Sequence, residues 1–177
     1  LREYRFTIEV VLFGMVLIMV VYHLVLFMFM PQNKSVLYFA LMAAFLGTRT
    51  FLTGERAVMT FFPEMNWVLL TKIEFIVSFT AIAFIILFLD DVFKGRMPKI
   101  PNAIIVGLGG IIFVIIAATG VNFFIRIKFV YELYMFLSGI YGITVLAVLS
   151  IKRVRGALIA LVGLSAIYLA GVNDVLY

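Results

Sequence analysis

The chain has 177 residues, 66% of them hydrophobic and 13% charged, and a mean hydropathy of +1.23. That leaves too little polar surface to coat a water-soluble domain, so the fitting solvent is a bilayer. The net charge of +5 reads as loop charge that sets topology rather than as a nucleic-acid footprint. The absence of Cys and the single His23 exclude disulfides, thiolate chemistry and a multi-histidine metal centre.

Leu1 to Phe6, with Arg2, Glu3 and Arg5, forms an interfacial lead-in. Residues 7–29 are nearly unbroken apolar, long enough to cross with some tilt where a span needs ~20 residues. This run is too long for a secretory signal, and no small-residue cleavage site follows it. A chain that starts at Leu1 rather than Met is expected to be a fragment.

Residues 31–35 form a turn, residues 36–53 a second and shorter span, and Gly54 closes it. Residues 54–66 form a loop with Glu55, Arg56, Phe61, Phe62, Pro63 and Glu64. It reads equally as an ordered lid or as a plain amphipathic loop. Trp67 marks an interface and opens a third span, residues 67–89. A charged loop with two prolines covers 90–101, and a fourth span runs over 102–119. Residues 120–128 make a short amphipathic link to a fifth span, 129–150. A basic turn, 151–155, leads to a sixth span, 156–172, and the chain closes on Asn173-Asp174-Val175-Leu176-Tyr177. The pattern predicts an all-α, polytopic transmembrane helix bundle of six spans, with sequential neighbours antiparallel. Residues 1–177 form one transmembrane helical domain on this reading, with no soluble domain and no internal repeat.

Lys34, Lys94, Arg96, Lys99, Lys152, Arg153 and Arg155 fall on one side of the membrane; Arg2, Arg5, Arg56, Arg126 and Lys128 fall on the other. The richer side is expected to be cytoplasmic, which puts the N-terminus outside. Six spans leave both ends outside, so a seventh helix is expected just beyond this chain.

Ionisable groups inside spans are expensive and mark sites by default. Arg49 sits about one turn from the end of span two, and Lys72 and Glu74 within about two turns of the start of span three. Glu132 opens span five, Asn173 and Asp174 end span six, and Glu55 lies in the adjoining loop. All approach one level, the outer third of the membrane. Thr71, Glu74 and Ser78 share a helix face, whereas Lys72 points elsewhere and can snorkel. These groups read either as a polar ligand pocket or switch network, or as interfacial ion pairs that fix helix ends. At the other level, Tyr22, His23 and Tyr38 are candidates for an inner titratable switch, although a His there is more often hydrogen-bonded to a neighbouring helix.

Small residues recur at packing distance: Ala40 with Ala44, Ala43 with Gly47, Gly139 with Gly142, Gly156 with Ala160, and Ala166 with Ala170. Gly107, Gly109 and Gly110 are packing residues, not a phosphate loop, because no strand precedes them and no Lys follows.

Tyr22-His23, Leu37-Tyr38-Phe39, Arg49, Gly54-Glu55, Pro63, Lys72-Ile73-Glu74 and the closing Asn173-Asp174-Val175-Leu176-Tyr177 together resemble the bacterial seven-transmembrane receptors with diverse intracellular signalling modules. The resemblance implies an extracytoplasmic domain before the helices, often a carbohydrate-binding jelly roll. It implies a histidine kinase, cyclase or phosphatase domain after them.

The expected function is therefore a transmembrane sensor that couples an extracytoplasmic signal to a cytoplasmic output by helix rearrangement. Its expected partners are membrane lipids, a small-molecule ligand (carbohydrate among them) or fused outer domain, a cytoplasmic signalling domain, and a second copy as a homodimer. No catalytic residue, metal, cofactor or nucleic acid is expected. A small transporter or channel is the alternative, but the centres of spans four and five are almost free of ionisable groups. An intramembrane enzyme would need converging catalytic groups that one His, no Cys and scattered Ser do not suggest. A retinal pigment would need a Lys deeper than Lys72.

Overall fold

The computed structural model describes residues 2–53 and 64–176, with side chains described for 7–52, 64–123 and 125–173. Among these residues the chain is all helical. The helices are α1 (Arg2–Phe29), α2 (Lys34–Thr53), α3 (Trp67–Val92), α4 (Lys99–Ala118), the single-turn linker α5 (Val121–Arg126), α6 (Lys128–Ile151) and α7 (Ala157–Leu176). Among the described residues, five helices are long and apolar enough to cross a membrane, and α7 adds a sixth apolar stretch over Ala157–Asn173. In hydrocarbon every backbone N–H and C=O must be satisfied within its own segment, which long helices achieve.

The third span is longer than the apolar run alone implies. It continues through Asp90 and Asp91 to Val92, and α4 begins at Lys99 rather than after Pro101. Pro101 is tolerated because it falls in the first turn, where its missing N–H has no intrahelical partner to lose. At the other end, Asn66 caps α3, its Oδ1 accepting from the Val68 N–H at 2.8 Å, and Trp67 is exposed beside it.

Side-chain contacts give the pairing of the helices. Phe13 stacks on Phe51 at 4.5 Å and His23 tilts against Phe39 at 4.6 Å, an antiparallel register of α1 on α2. Arg49 reaches Ser78 while the Ser35 N–H reaches Asp91, which sets α2 antiparallel to α3. Lys72 reaches the Ala117 carbonyl and Asp90 reaches Asn102, which does the same for α3 and α4. Gly139 lies under the Tyr168 ring and Gly142 against Leu164, aligning α6 with α7. The helix at the centre is α3, which packs on α2, α4, α5 and α6. By contrast α1 touches mainly α2 and presents Ile18, Met28 and Phe29 outward, an apolar face suited to lipid.

Two of the three buried clusters among the described residues hold the centre of the bundle. One joins α3, α4, α5 and α6 around Phe79, Ile86, Ile116 and Tyr131. The other joins α3, α6 and α7 around Ile85, Leu89, Leu146 and Leu164. Lipid tails are as apolar as Leu, so these contacts hold by close packing rather than by expulsion of water. Small residues permit that approach. A methyl group on Gly47 would come 2.7 Å from Val16 Cγ1, and one on Gly109 would come 2.9 Å from the Tyr134 hydroxyl oxygen and 3.0 Å from Ala83 Cβ.

Not every small-residue pair serves this purpose. Gly156 takes a φ of +81° in the α6–α7 turn and faces open space, so its role is conformational. Ala166 and Ala170 are exposed. Gly107 and Gly110 likewise face open space, and of that trio only Gly109 packs.

Gly109→Ala is therefore expected to destabilise the bundle by about 1–3 kcal/mol through overpacking. Gly107→Ala and Gly110→Ala should be neutral or gain up to about 1 kcal/mol. Thermal unfolding of the three variants in one detergent checks the contrast.

Candidate functional site: two polar clusters at opposite ends of α3

Along its middle, α3 lines a cavity of about 380 Å³ shared with α2, α6 and α7, whose charged groups lie toward the Trp67 end. Its polar groups are Arg49 and Thr50 from α2, Glu74 and Ser78 from α3, Lys128, Glu132 and Ser138 from α6, and Tyr168 from α7. The Arg49 Nε–H donates to Ser78 Oγ at 3.0 Å, and Ser78 Oγ donates to the Glu74 carbonyl at 2.6 Å. Ser78 thus passes an arginine contact into the helix backbone. On the facing helix, Lys128 Nζ lies 3.1 Å from Glu132 Oε1. The glutamate side chain is 19% exposed and the lysine 53%, so the carboxylate sits inside while the ammonium snorkels outward.

Deeper, the lining becomes apolar, with Ile82, Ile85, Ile86 and Leu164. From Glu74 to Ile86 the cavity follows ~18 Å of α3 at ~1.5 Å per residue. Ser138 is only 4% exposed and lines this cavity, yet its hydroxyl has no hydrogen-bond partner. A buried hydroxyl without a partner costs on the order of 1–3 kcal/mol, so it marks a place where a polar ligand atom or water would be welcome.

The second cluster occupies the opposite end. Asp90 Oδ1 accepts from Asn102 Nδ2 at 2.7 Å, and Asn102 Oδ1 accepts from the Tyr141 hydroxyl at 2.6 Å. This chain ties α3, α4 and α6 together through Asn102, which is 5% exposed. The next residue, Asp91, turns the other way and accepts from the Ser35 N–H at 2.7 Å. Its carboxylate thus caps the first turn of α2, where negative charge meets the positive end of the helix dipole. Leu89, Leu146 and Leu164 pack together as an apolar cluster that joins α3, α6 and α7. Among the described residues no group of acidic and histidine side chains could hold a metal ion.

A family model described as 7TM diverse intracellular signalling matches residues 5–177. The chain belongs to that family. It is a receptor-type transmembrane signalling domain, a multi-pass membrane protein built as a helix bundle. No curated protein and no solved structure matches it.

Within this 7TM signalling domain the expected outer cluster comes together only in part. Arg49, Glu74 and Glu132 line one cavity. Lys72 does not, because two residues along a helix is a turn of about 200°. Its ammonium donates instead to the Ala117 carbonyl at 3.3 Å, at the C-terminal end of α4 where positive charge is favoured. Asn173 is exposed and lies outside the cavity lining. Glu55 and residues 54–63 of the 54–66 loop, on which the suggested lid rests, lie outside the described residues, as does the Asp174 side chain.

The inner trio is placed as follows. His23 Nδ1 bonds the Met19 carbonyl of its own helix at 2.7 Å. Its ring packs on Tyr22 and on Phe39, not on Tyr38. Tyr22 is 61% exposed. The hydrogen-bonded side chains at that end are Asp90, Asp91, Asn102 and Tyr141, which the sequence pattern assigned to a loop or left unremarked. One signal was present: the two carboxylates on the otherwise basic side directly follow an apolar run.

Tyr141→Phe and Asn102→Leu should each lower the melting temperature in detergent. Their double mutant should reveal a coupling on the order of 0.5–3 kcal/mol. Strictly additive losses would mean the bond between them contributes nothing.

Proposed function

We propose that this domain carries a signal from its Arg49 end to an output module beyond its Asp90 end by shifting the packing of its helices, and that it does so without catalysis of its own. The observation that supports this best is the cavity lined by Arg49, Glu74, Glu132 and Ser138, which is shared by four helices and carries its charged groups on the Arg49 side. A small ligand, or a loaded outer domain pressing on that end, biases the bundle if it favours one packing over another; equal affinity for both would shift nothing. The relay is α3. Its Ser78 is bonded to α2 near the cavity, and its Asp90 and Asp91 are bonded to α4 and α2 at the far end. Displacement of α3 at one end therefore strains both carboxylate contacts at the other.

The excess of Lys and Arg in the loops of the Asp90 end favours placing that end in the cytoplasm, with the N-terminus outside. The family's description as intracellular signalling agrees with an output on that side. Transport is disfavoured because the cavity ends on Ile85, Ile86 and Leu164 rather than continuing as a polar path.

In the full-length protein, Arg49→Ala and Glu74→Gln should shift the signalling response 5–150-fold, the range of ordinary allosteric coupling. Ser138→Leu, which fills the cavity, should hold the output at one level whatever the stimulus. All three should insert normally. Wild-type basal output and dose–response in all three variants would reject the cavity as the input site, and solute flux in liposomes would favour transport.

A further inference from the structure

A groove of about 530 Å³ lies between the α3–α4 turn and the α6–α7 turn, apart from the cavity described above. Lys94 and Arg96 line it from the first turn, Arg153 and Arg155 from the second. Among the described residues no acidic residue lines it. The two carboxylates nearest in sequence are both engaged elsewhere, Asp90 with Asn102 and Asp91 with the Ser35 N–H. The groove is therefore a site of four cations whose neighbouring acids are turned to other partners.

Its shape is built into the backbone. Gly95 takes a φ of +71° and Arg153 a φ of +55°, left-handed conformations that fold each turn back sharply. The Arg96 N–H bonds the Phe93 carbonyl at 2.9 Å, and the Arg153 N–H bonds the Ser150 carbonyl at 2.9 Å. The floor is firm: Phe93 is 4% exposed in the core of α3, α6 and α7, and Val154 packs against that core. Both turns join helices at their ends, Val92 to Lys99 and Ile151 to Ala157, which is the level of the membrane surface. Like charges gathered there repel unless a counter-charge sits among them. The anion present in quantity at that depth is a lipid phosphate, which guanidinium groups grip through paired N–H donors.

We propose that this groove binds the headgroup of an anionic phospholipid carrying two phosphates, one phosphate held by Lys94 and Arg96 and the other by Arg153 and Arg155. Such a lipid clamps the α3–α4 hairpin to the α6–α7 hairpin at the end opposite the cavity. The inference stands on the groove alone and holds whichever way the domain faces.

The test reconstitutes the full-length protein in phosphatidylcholine nanodiscs containing either cardiolipin, with two phosphates, or phosphatidylglycerol, with one, at equal total lipid charge. Lipid retention is read by native mass spectrometry. Cardiolipin should be retained in preference to phosphatidylglycerol. Lys94→Gln with Arg96→Gln should cut retention about thirtyfold, and Arg153→Asn with Arg155→Gln should do the same. Asn is chosen at position 153 because it tolerates the left-handed backbone. Arg126→Gln at the opposite end should leave lipid retention unchanged. Equal retention of the two lipids, loss with only one of the basic pairs, or displacement of cardiolipin by dissolved pyrophosphate at the same concentration would each overturn the proposal.

Discussion

Inside a membrane a polar group has only the protein to turn to, and that constraint organises this bundle. Its consequences are clearest on α3. Ser78, Lys72, Asp90 and Asp91 lie along one helix, and each meets a group on an adjoining one: Arg49 on α2, the Ala117 carbonyl on α4, Asn102 on α4 and the Ser35 N–H on α2. An interhelical hydrogen bond in a membrane averages only about 0.6 kcal/mol, so no single contact holds the fold. Their value lies in placement. They sit at both ends of one rod and give it a defined register against two neighbours.

Between those ends the bundle relies on fit. Tyr134 illustrates how the two kinds of interaction combine. Its hydroxyl donates to the Ile105 carbonyl at 3.1 Å, deep in the α4–α6 contact, and Gly109 leaves the space that lets the ring approach. A larger residue there would remove both the packing and the bond. The α6–α7 pair uses the same device, with Tyr168 lying over Gly139. On the other side α1 needs less. It leans on α2 through aromatic stacking and Gly47, and leaves most of its apolar surface for lipid.

The two ends of the bundle are chemically unlike, which suits a relay. At the Arg49 end, charges of both signs surround a cavity that holds an unpartnered hydroxyl at Ser138. Looseness of that kind is where a second packing can be favoured at small cost. At the Asp90 end the carboxylates, Asn102 and Tyr141 are bonded to one another and to helix backbone, and the surrounding turns are strongly basic. A switch needs both properties: one region whose packing a signal can change, and another rigid enough to report the change.

The sequence by itself determined the solvent, the helical class and the approximate spans, because hydrophobic length is a local property counted residue by residue. It also marked Arg49, Glu74 and Glu132, since charges within apolar runs stand out without knowledge of the neighbours. Only the tertiary structure decided that Lys72 serves the end of α4, that His23 bonds its own helix, that Asn102 and Tyr141 are bonded across helices, and that Ser138 is buried without a partner. The physical reason is directional. A neutral polar side chain in an apolar helix looks like any other until the adjoining helix is known. Which one adjoins depends on how small residues, turns and bonded carboxylates set the packing of the whole bundle.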